Sequence, residues 1–394
     1  MRDDVVIVAG RRTAITGRSR AQAGLRADQL GSAVVRELME ATGVTPSAVV
    51  MGNCTGPGGN LGRLTALGAG CGETVVGWGV DAQCGSGLLA LQQGIEHVQR
   101  TGSAVIAGGA ESPSTAPQRI DVATDREITQ ARFAPEGFPD PDMTEAADEL
   151  ARVCGISRER QDRFAARSHR LARASLAARA VVGGEQIHDD GPRGLTAQTL
   201  GRFAPIFGAA PDHTVTPGNT ARIADGAAAL LVLPERDAAT LAGTAGPGPG
   251  VRVLASQLTG AGTALPGIAA VAAVRAVLDS AGRRLDEVGA IDIVEAYAAQ
   301  TLACLDELGL AGSTHLAAPA DPDEIDPRVN AQGGALALGH PWGASGAVAV
   351  VQLLDRLADA APGTLGLAAC AIGGGMGAAL LVERRDDPTP GEPA

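Results

Sequence analysis

The chain contains no lysine: all 32 of its basic side chains are arginine. That absence excludes a lysine Schiff base, a pyridoxal phosphate lysine and a phosphate loop ending in Gly-Lys-Ser/Thr. Aromatic residues make up only 2% of the chain, so its core must be packed with Ala, Val, Leu and Ile. The six cysteines (Cys54, Cys71, Cys84, Cys154, Cys304, Cys370) stand far apart with no C-x-x-C pair. Neither a metal framework nor a disulfide scaffold is therefore expected, and no metal ligands are expected. Met1-Arg2-Asp3-Asp4 runs straight into the strand-like Val5-Val6-Ile7-Val8, so we expect no secretory signal, reduced thiols and a cytoplasmic protein. No apolar run is long enough to span a bilayer. The net charge of −12 argues against nucleic acid or an anionic membrane as the main partner.

What is present is repetition. From about Leu30, "LGSAVVRELMEATGVTPSAVVMGN" reads as an amphipathic helix, a turn and a β-branched strand. From Ile268, "IAAVAAVRAVLDSAGRRLDEVGAIDIVEA" repeats that order. A second pair follows: "CGSGLLALQQGIEHVQRTGSAVIAGGAE" from Cys84 resembles "HPWGASGAVAVVQLLDRLADAAPGTLGLAACAIGGG" from His340. Each contains a Ser-Gly step, a buried-looking helix, a turn and an apolar strand ending near glycines. The reading is an α/β fold of two copies of one unit, with helices packed on mixed sheets. Residues 1–115 and 223–250 form the first half, 251–385 the second, and 116–222 an inserted cap richer in Arg and Pro; 386–394 read as a disordered tail.

The repeat has a chemical consequence. Cys84 precedes Ser86-Gly87 in one half, and His340 precedes Ser345-Gly346 in the other. If the halves are related by a pseudo-twofold axis, the two residues face a shared centre, as an activated thiolate requires. Alone, a cysteine is usually a small core residue and a histidine a satisfied structural group; the paired motifs favour chemistry. Cys54, Cys71, Cys154 and Cys304 have no such context and read as small apolar residues. His97, His169, His188, His213 and His315 read as surface groups.

These motifs resemble those of the thiolase family over nearly the whole chain. "VDAQCGSGLLAL" is similar to the family's nucleophile motif, "AGGAESPSTAP" to the strand and turn after its helix, and "EAADELARVCGISRERQDRFAARSHRLA" to the start of its loop domain. "TVTPGNTARIADGAAALLV" resembles the return to the core, "VNAQGGALALGHPWGASGA" the histidine motif and "GGGMGAALLVE" the glycine-rich ending. The resemblance implies a five-layered αβαβα fold of two similar halves with a loop domain, here shortened, usually dimeric or tetrameric. It implies acyl transfer from a coenzyme A thioester, a substrate rather than a resident cofactor, to Cys84, with His340 as base. It also implies Claisen or retro-Claisen chemistry, with the N–H groups of Cys84 and Gly373 as oxyanion hole. Met143, Ala221, Arg222, Asn330 and Gly339 fall at or beside positions that contact substrate in the family. Met143 reads equally as a core residue at a helix start.

Two departures affect the second half-reaction. The family carries Asn-Glu-Ala-Phe where this chain reads "AIDIVEAYAAQ": either Val294-Glu295-Ala296-Tyr297 aligns there or three residues are deleted, and the asparagine is absent in both cases. Glu295 reads as a strand-end carboxylate held by N–H groups or as a replacement polar group. The family's Cys-x-Gly-Gly-Gly is replaced by "LAACAIGGG", which puts Ala371 at the catalytic position and Cys370 one residue early. Adjacent strand residues face opposite sides, so Cys370 points away from the site unless a bulge restores it. The donor is acyl-coenzyme A or an acyl carrier protein. Three outcomes stay open: carbon–carbon chemistry using Cys370, Glu295 or His340 for the proton; transfer to a heteroatom acceptor or water; and a non-catalytic scaffold subunit.

Overall fold

The structure is a computed structural model describing residues 4–56, 58–128, 132–175, 181–182, 187–238, 250–312 and 325–386. Most of the expected tail, 387–394, lies outside the described residues. The first half contributes strands β1 (Val5–Thr13), β2 (Ala48–Gly52), β3 (Val76–Val80), β4 (Val105–Glu111) and β5 (Ala224–Pro234). Its helices are α1 (Ala27–Thr42), α2 (Leu61–Ala69) and α3 (Ser86–Thr101). Helices α4 (Met143–Cys154) and α5 (Arg158–Ala174) belong to the inserted segment. The second half contributes β6 (Val251–Gly260), α6 (Ala270–Ala281), β7 (Val288–Ile293), α7 (Ala298–Glu307), α8 (Trp342–Ala358), β8 (Leu365–Ile372) and β9 (Met376–Arg384).

The internal repeat is visible in the pairing. In the first half β2 runs parallel to β4, β4 antiparallel to β5, and β5 antiparallel to β1. In the second half β7 runs parallel to β8, β8 antiparallel to β9, and β9 antiparallel to β6. Order and polarity match strand for strand, with β3 added at the outer edge of the first half. Among the described residues the two ladders join into one sheet through β1 and β6, at Val6↔Arg252 and Ile7↔Val251; two short strands, Thr16–Gly17 and Val181–Val182, bring it to 11 strands.

Helices form three layers around these ladders. α1 and α2 cover the outer face of the first half, and α6 packs on β6 and β9 of the second. Between the ladders, α3 packs on α8, and α8 reaches β4 and β5 on one side and β7 and β8 on the other. This central layer explains why α8 is apolar nearly all round: helices wetted on one side show a polar stripe, and α8 has strands or helices on most of its circumference. Leu91, Val350 and Leu353 are fully buried in this core, each contributing ~1.5–3 kcal/mol of transfer free energy. The inserted α4 and α5 pack on α7, burying Leu150 and Phe164 in the second half's outer core. Among the described residues, no helix is long and apolar enough to cross a membrane.

Candidate active site

The Cys84 loop is built by backbone geometry. Gln83 takes a positive φ of 49°, rare for a residue with a side chain, and Gln83–Gly85 form a tight 3-10 turn leading into α3. Ser86 locks the turn: its Oγ donates to Gln83 O at 2.6 Å and accepts from Ala82 N at 2.9 Å. The Ser-Gly repeats also acquire a reason. A Cβ on Gly87 would lie 2.8 Å from Ala347 N, and one on Gly346 would lie 2.8 Å from Leu88 Cγ. Only glycines let α3 and α8 cross this closely, and that crossing brings their N-terminal loops together.

Cys84 and His340 meet there. The Cys84 Sγ lies 3.3 Å from His340 Nε2, although 256 residues separate them in sequence. His340 Nδ1 lies 2.6 Å from Ser345 Oγ. A thiol donating to Nε2 leaves the ring proton on Nδ1, from which it is donated to Ser345, fixing tautomer and ring plane together. The His340 N–H donates to Arg222 O at 2.8 Å and so ties the loop to the start of β5.

Burial disfavours the charged form of both partners. Burial, the largest cause, pushes the Cys84 thiol up to about 12; the N–H groups of Cys84 and Gly373 pull it down, while the charges of Glu111 and Asp81 push it up. Burial alone lowers His340 to about 4. These shifts favour a thiol beside a neutral imidazole over a preformed ion pair. The backbone N–H groups of Cys84 and Gly373 both converge on the Cys84 sulfur.

The pair opens on a cavity of about 380 Å³, lined among others by Met143, Thr144, Ala221, Tyr297, Gln300, Trp342, Ala371 and Gly373. Met143 and Ala221 thus stand on its wall, as does the Ala371 position. The remaining candidates do not. Cys370 lies on the opposite face of β8: the β8–β9 register runs without a bulge from Leu365↔Glu383 to Ile372↔Met376. Its thiol donates instead to Cys84 O at 3.3 Å and Ala371 O at 3.1 Å. Glu295 is fully buried and accepts from Ser168 Oγ at 2.7 Å, Asn330 Nδ2 at 2.7 Å and Leu336 N at 3.2 Å. Burial raises its pKa above the ordinary carboxylate value. Of its two readings, the strand-end anchor describes this geometry. Asn330, held at φ 44°, also bonds Ile293 N and O and belongs to that anchor. Gly339, at φ 114°, packs against Ala224 outside the cavity. Arg222 is paired with Asp190 and donates to Leu338 O at 3.1 Å, so its charge is already engaged. Val294 is buried in the central apolar core and brings no polar group to the site.

Two sequence readings need correction. Cys54 is not mere filler: it lines the cavity, and its thiol donates to Glu111 Oε2 at 3.0 Å. Burial and then the Glu111 charge push that thiol well above its ordinary value. Nothing adjacent in sequence signals this, because Glu111 reaches Cys54 across β2 and β4. His169 is buried, accepts from Arg193 N at 3.3 Å and is lowered to about 4 by burial first. His213 pairs with Asp148 at 2.5 Å and keeps 42% of its side chain exposed, in line with the surface reading. Among the described residues, no cluster of three or more His, Cys, Asp or Glu side chains could hold a metal ion.

Comparison with known proteins agrees with this architecture. The chain matches the thiolase N-terminal domain over residues 5–236 and the thiolase C-terminal domain over residues 249–384. It is 36% identical to the putative acetyl-CoA C-acetyltransferase YhfS of Bacillus subtilis, covering 96% of this chain and 99% of that protein. It is 35% identical to the acetyl-CoA acetyltransferase of Escherichia coli K12, covering 96% and 98%. The crystal structure of the Bacillus anthracis acetyl-CoA acetyltransferase superposes with a TM-score of 0.84 at 29% identity, over 97% of this chain and 99% of that one. With two converging halves, a matched pair of family domains and relatives spanning its length, this chain belongs to the thiolase family of acyl-transferring enzymes.

Proposed function

We propose that the protein transfers acyl groups through a thioester on Cys84, taking the acyl group from an acyl-coenzyme A or a carrier-bound thioester, with carbon–carbon bond cleavage or formation as the second half-reaction. The observation that carries this reading is the 3.3 Å contact of Cys84 Sγ with His340 Nε2 beside the N–H groups of Cys84 and Gly373. In acylation, Cys84 gives its proton to Nε2 as the sulfur attacks the thioester carbonyl, whose oxygen gathers charge against the two N–H groups. The imidazolium then returns the proton to the departing thiol. Coenzyme A is substrate here, and the chemistry rests on side chains and backbone.

For the carbon–carbon step, His340 is the proton carrier of choice, because Cys370 and Glu295 stand outside the cavity. In the cleavage direction one base suffices. His340 takes the Cys84 proton, the sulfur attacks the β-carbonyl, the carbon–carbon bond breaks, and the imidazolium protonates the enolate carbon. The names of the relatives favour this over heteroatom transfer or a scaffold role.

A second copy of the chain is the expected neighbour: among the described residues β3 ends the sheet, with Val76 52% exposed, and Leu64 and Leu67 on α2 beside it are also exposed. The free thiols suit a reducing compartment such as the cytoplasm. Intact-mass measurement after incubation with acetyl-coenzyme A tests the central claim. One acetyl group should add to the wild type and none to Cys84→Ala; an adduct surviving that substitution overturns the reading.

A further inference from the structure

The carbon–carbon half-reaction needs a donor for the oxygen of the carbon nucleophile, because removing an α-proton from a thioester drives charge onto its carbonyl oxygen. The two N–H groups at Cys84 serve the acyl carbonyl, and Val294 is buried and apolar. The other wall of the cavity carries hydroxyls. Tyr297 lies at the entry to α7, where a bridge to Thr220 fixes its backbone beside Ala221, itself on the cavity wall. Tyr297 lines the cavity together with Cys84 and His340. Its Oη shares a hydrogen bond of 3.1 Å with Thr144 Oγ1, a second wall residue on α4. When Thr144 donates, the phenolic hydrogen is left free for a ligand. Thr220, on the same wall, buries its Oγ1 without a partner among the described residues.

We propose that Tyr297 is a catalytic residue of the second half-reaction, its Oη donating a hydrogen bond to the thioester oxygen of the carbon nucleophile as that oxygen becomes an enolate. The inference rests on the acyl-Cys84 reading above. In the condensing direction, the α-carbon–hydrogen bond breaks, its proton goes to His340 Nε2, and the electron pair spreads onto the oxygen facing Tyr297. The α-carbon then attacks the acyl-Cys84 carbonyl, the carbon–sulfur bond breaks, and the Cys84 sulfur recovers the proton from His340. The phenol suits a donor rather than a base. Burial first, then the charges of Asp142 and Cys84, push it up to about 12, so it keeps its proton throughout the neutral range.

The test is Tyr297→Phe, which keeps the ring and removes only the hydroxyl. Two rates are measured on the same preparation: acetylation of Cys84 by acetyl-coenzyme A, followed by mass, and exchange of acetyl-coenzyme A methyl hydrogens with deuterated water. The expected result is wild-type acetylation with exchange reduced roughly 100- to 1000-fold, the cost of removing one oxyanion donor. Retained acetylation also shows that the variant is folded. Wild-type exchange in Tyr297→Phe, or acetylation falling as far as exchange, overturns the role. If the wild type is acetylated but exchanges no hydrogen, the carbon–carbon reading fails and takes this role with it. If the wild type is not acetylated, the Cys84 reading itself fails.

Discussion

The two halves share one frame and use it differently. In each, a parallel strand pair feeds a central helix, and a glycine in a Ser-Gly step lets that helix meet its counterpart. The first half sets Cys84 at its helix entry, the second His340. Each half also buries a glutamate completely, Glu111 at the end of β4 and Glu295 after β7. Glu111 accepts from Asn53 Nδ2, the N–H and thiol of Cys54, the N–H and hydroxyl of Thr55, and Gly343 N. It thereby ties a first-half wall loop to the first turn of α8, just past His340. Glu295 accepts from three donors and ties the second half to the inserted α5 and to the loop before His340. Duplicated scaffolds thus supply equivalent positions, and buried carboxylates fasten the loops that diverge.

The comparison can be broken by replacing each carboxylate with its amide. In Glu111→Gln the new NH₂ group faces three donors in either orientation. We expect about 2–4 kcal/mol of lost stability, at the upper end of what leaving buried donors unpaired costs. Glu295→Gln, with fewer donors, should cost ~1–3 kcal/mol. Urea denaturation monitored by circular dichroism measures both, and equal losses would dissolve the distinction.

A second, smaller effect separates the inserted segment from the site by pH. His169 and His340 are both lowered from 6.5 to about 4, so the unfolded chain takes up protons at a pH where the folded chain does not. Their contribution to stability is complete above about 6.5 and is lost as pH falls toward 4. His169→Gln should flatten this slope by about one proton's worth while leaving Cys84 acetylation unchanged, as a series of urea midpoints against pH will show. An unchanged slope would place His169 in a wetter setting than its burial implies.

Smallest of all is Cys370→Ala. It removes the thiol that donates to Cys84 O and should cost ~1 kcal/mol while leaving both acetylation and methyl exchange intact. Loss of exchange in this variant would mean that the β8–β9 register slips in solution and returns the thiol to the cavity.

Residue patterns determined much of this. The duplication, the pairing of Cys84 with His340 and the absence of lysine-dependent chemistry follow from the periodicity, glycine placement and residue types of the chain itself. So does the opposed facing of Cys370 and Ala371, because strand alternation is a local property. Tertiary structure alone decided which side chains share the cavity. Cys54 meets Glu111 through a parallel strand pair, Tyr297 reaches the cavity where a bridge to Thr220 pins it, and Arg222 is taken up by Asp190. Each of these contacts joins residues on different elements, so no local spacing encodes them; strand order and helix crossing set them, and with them burial and every shifted proton affinity at the site.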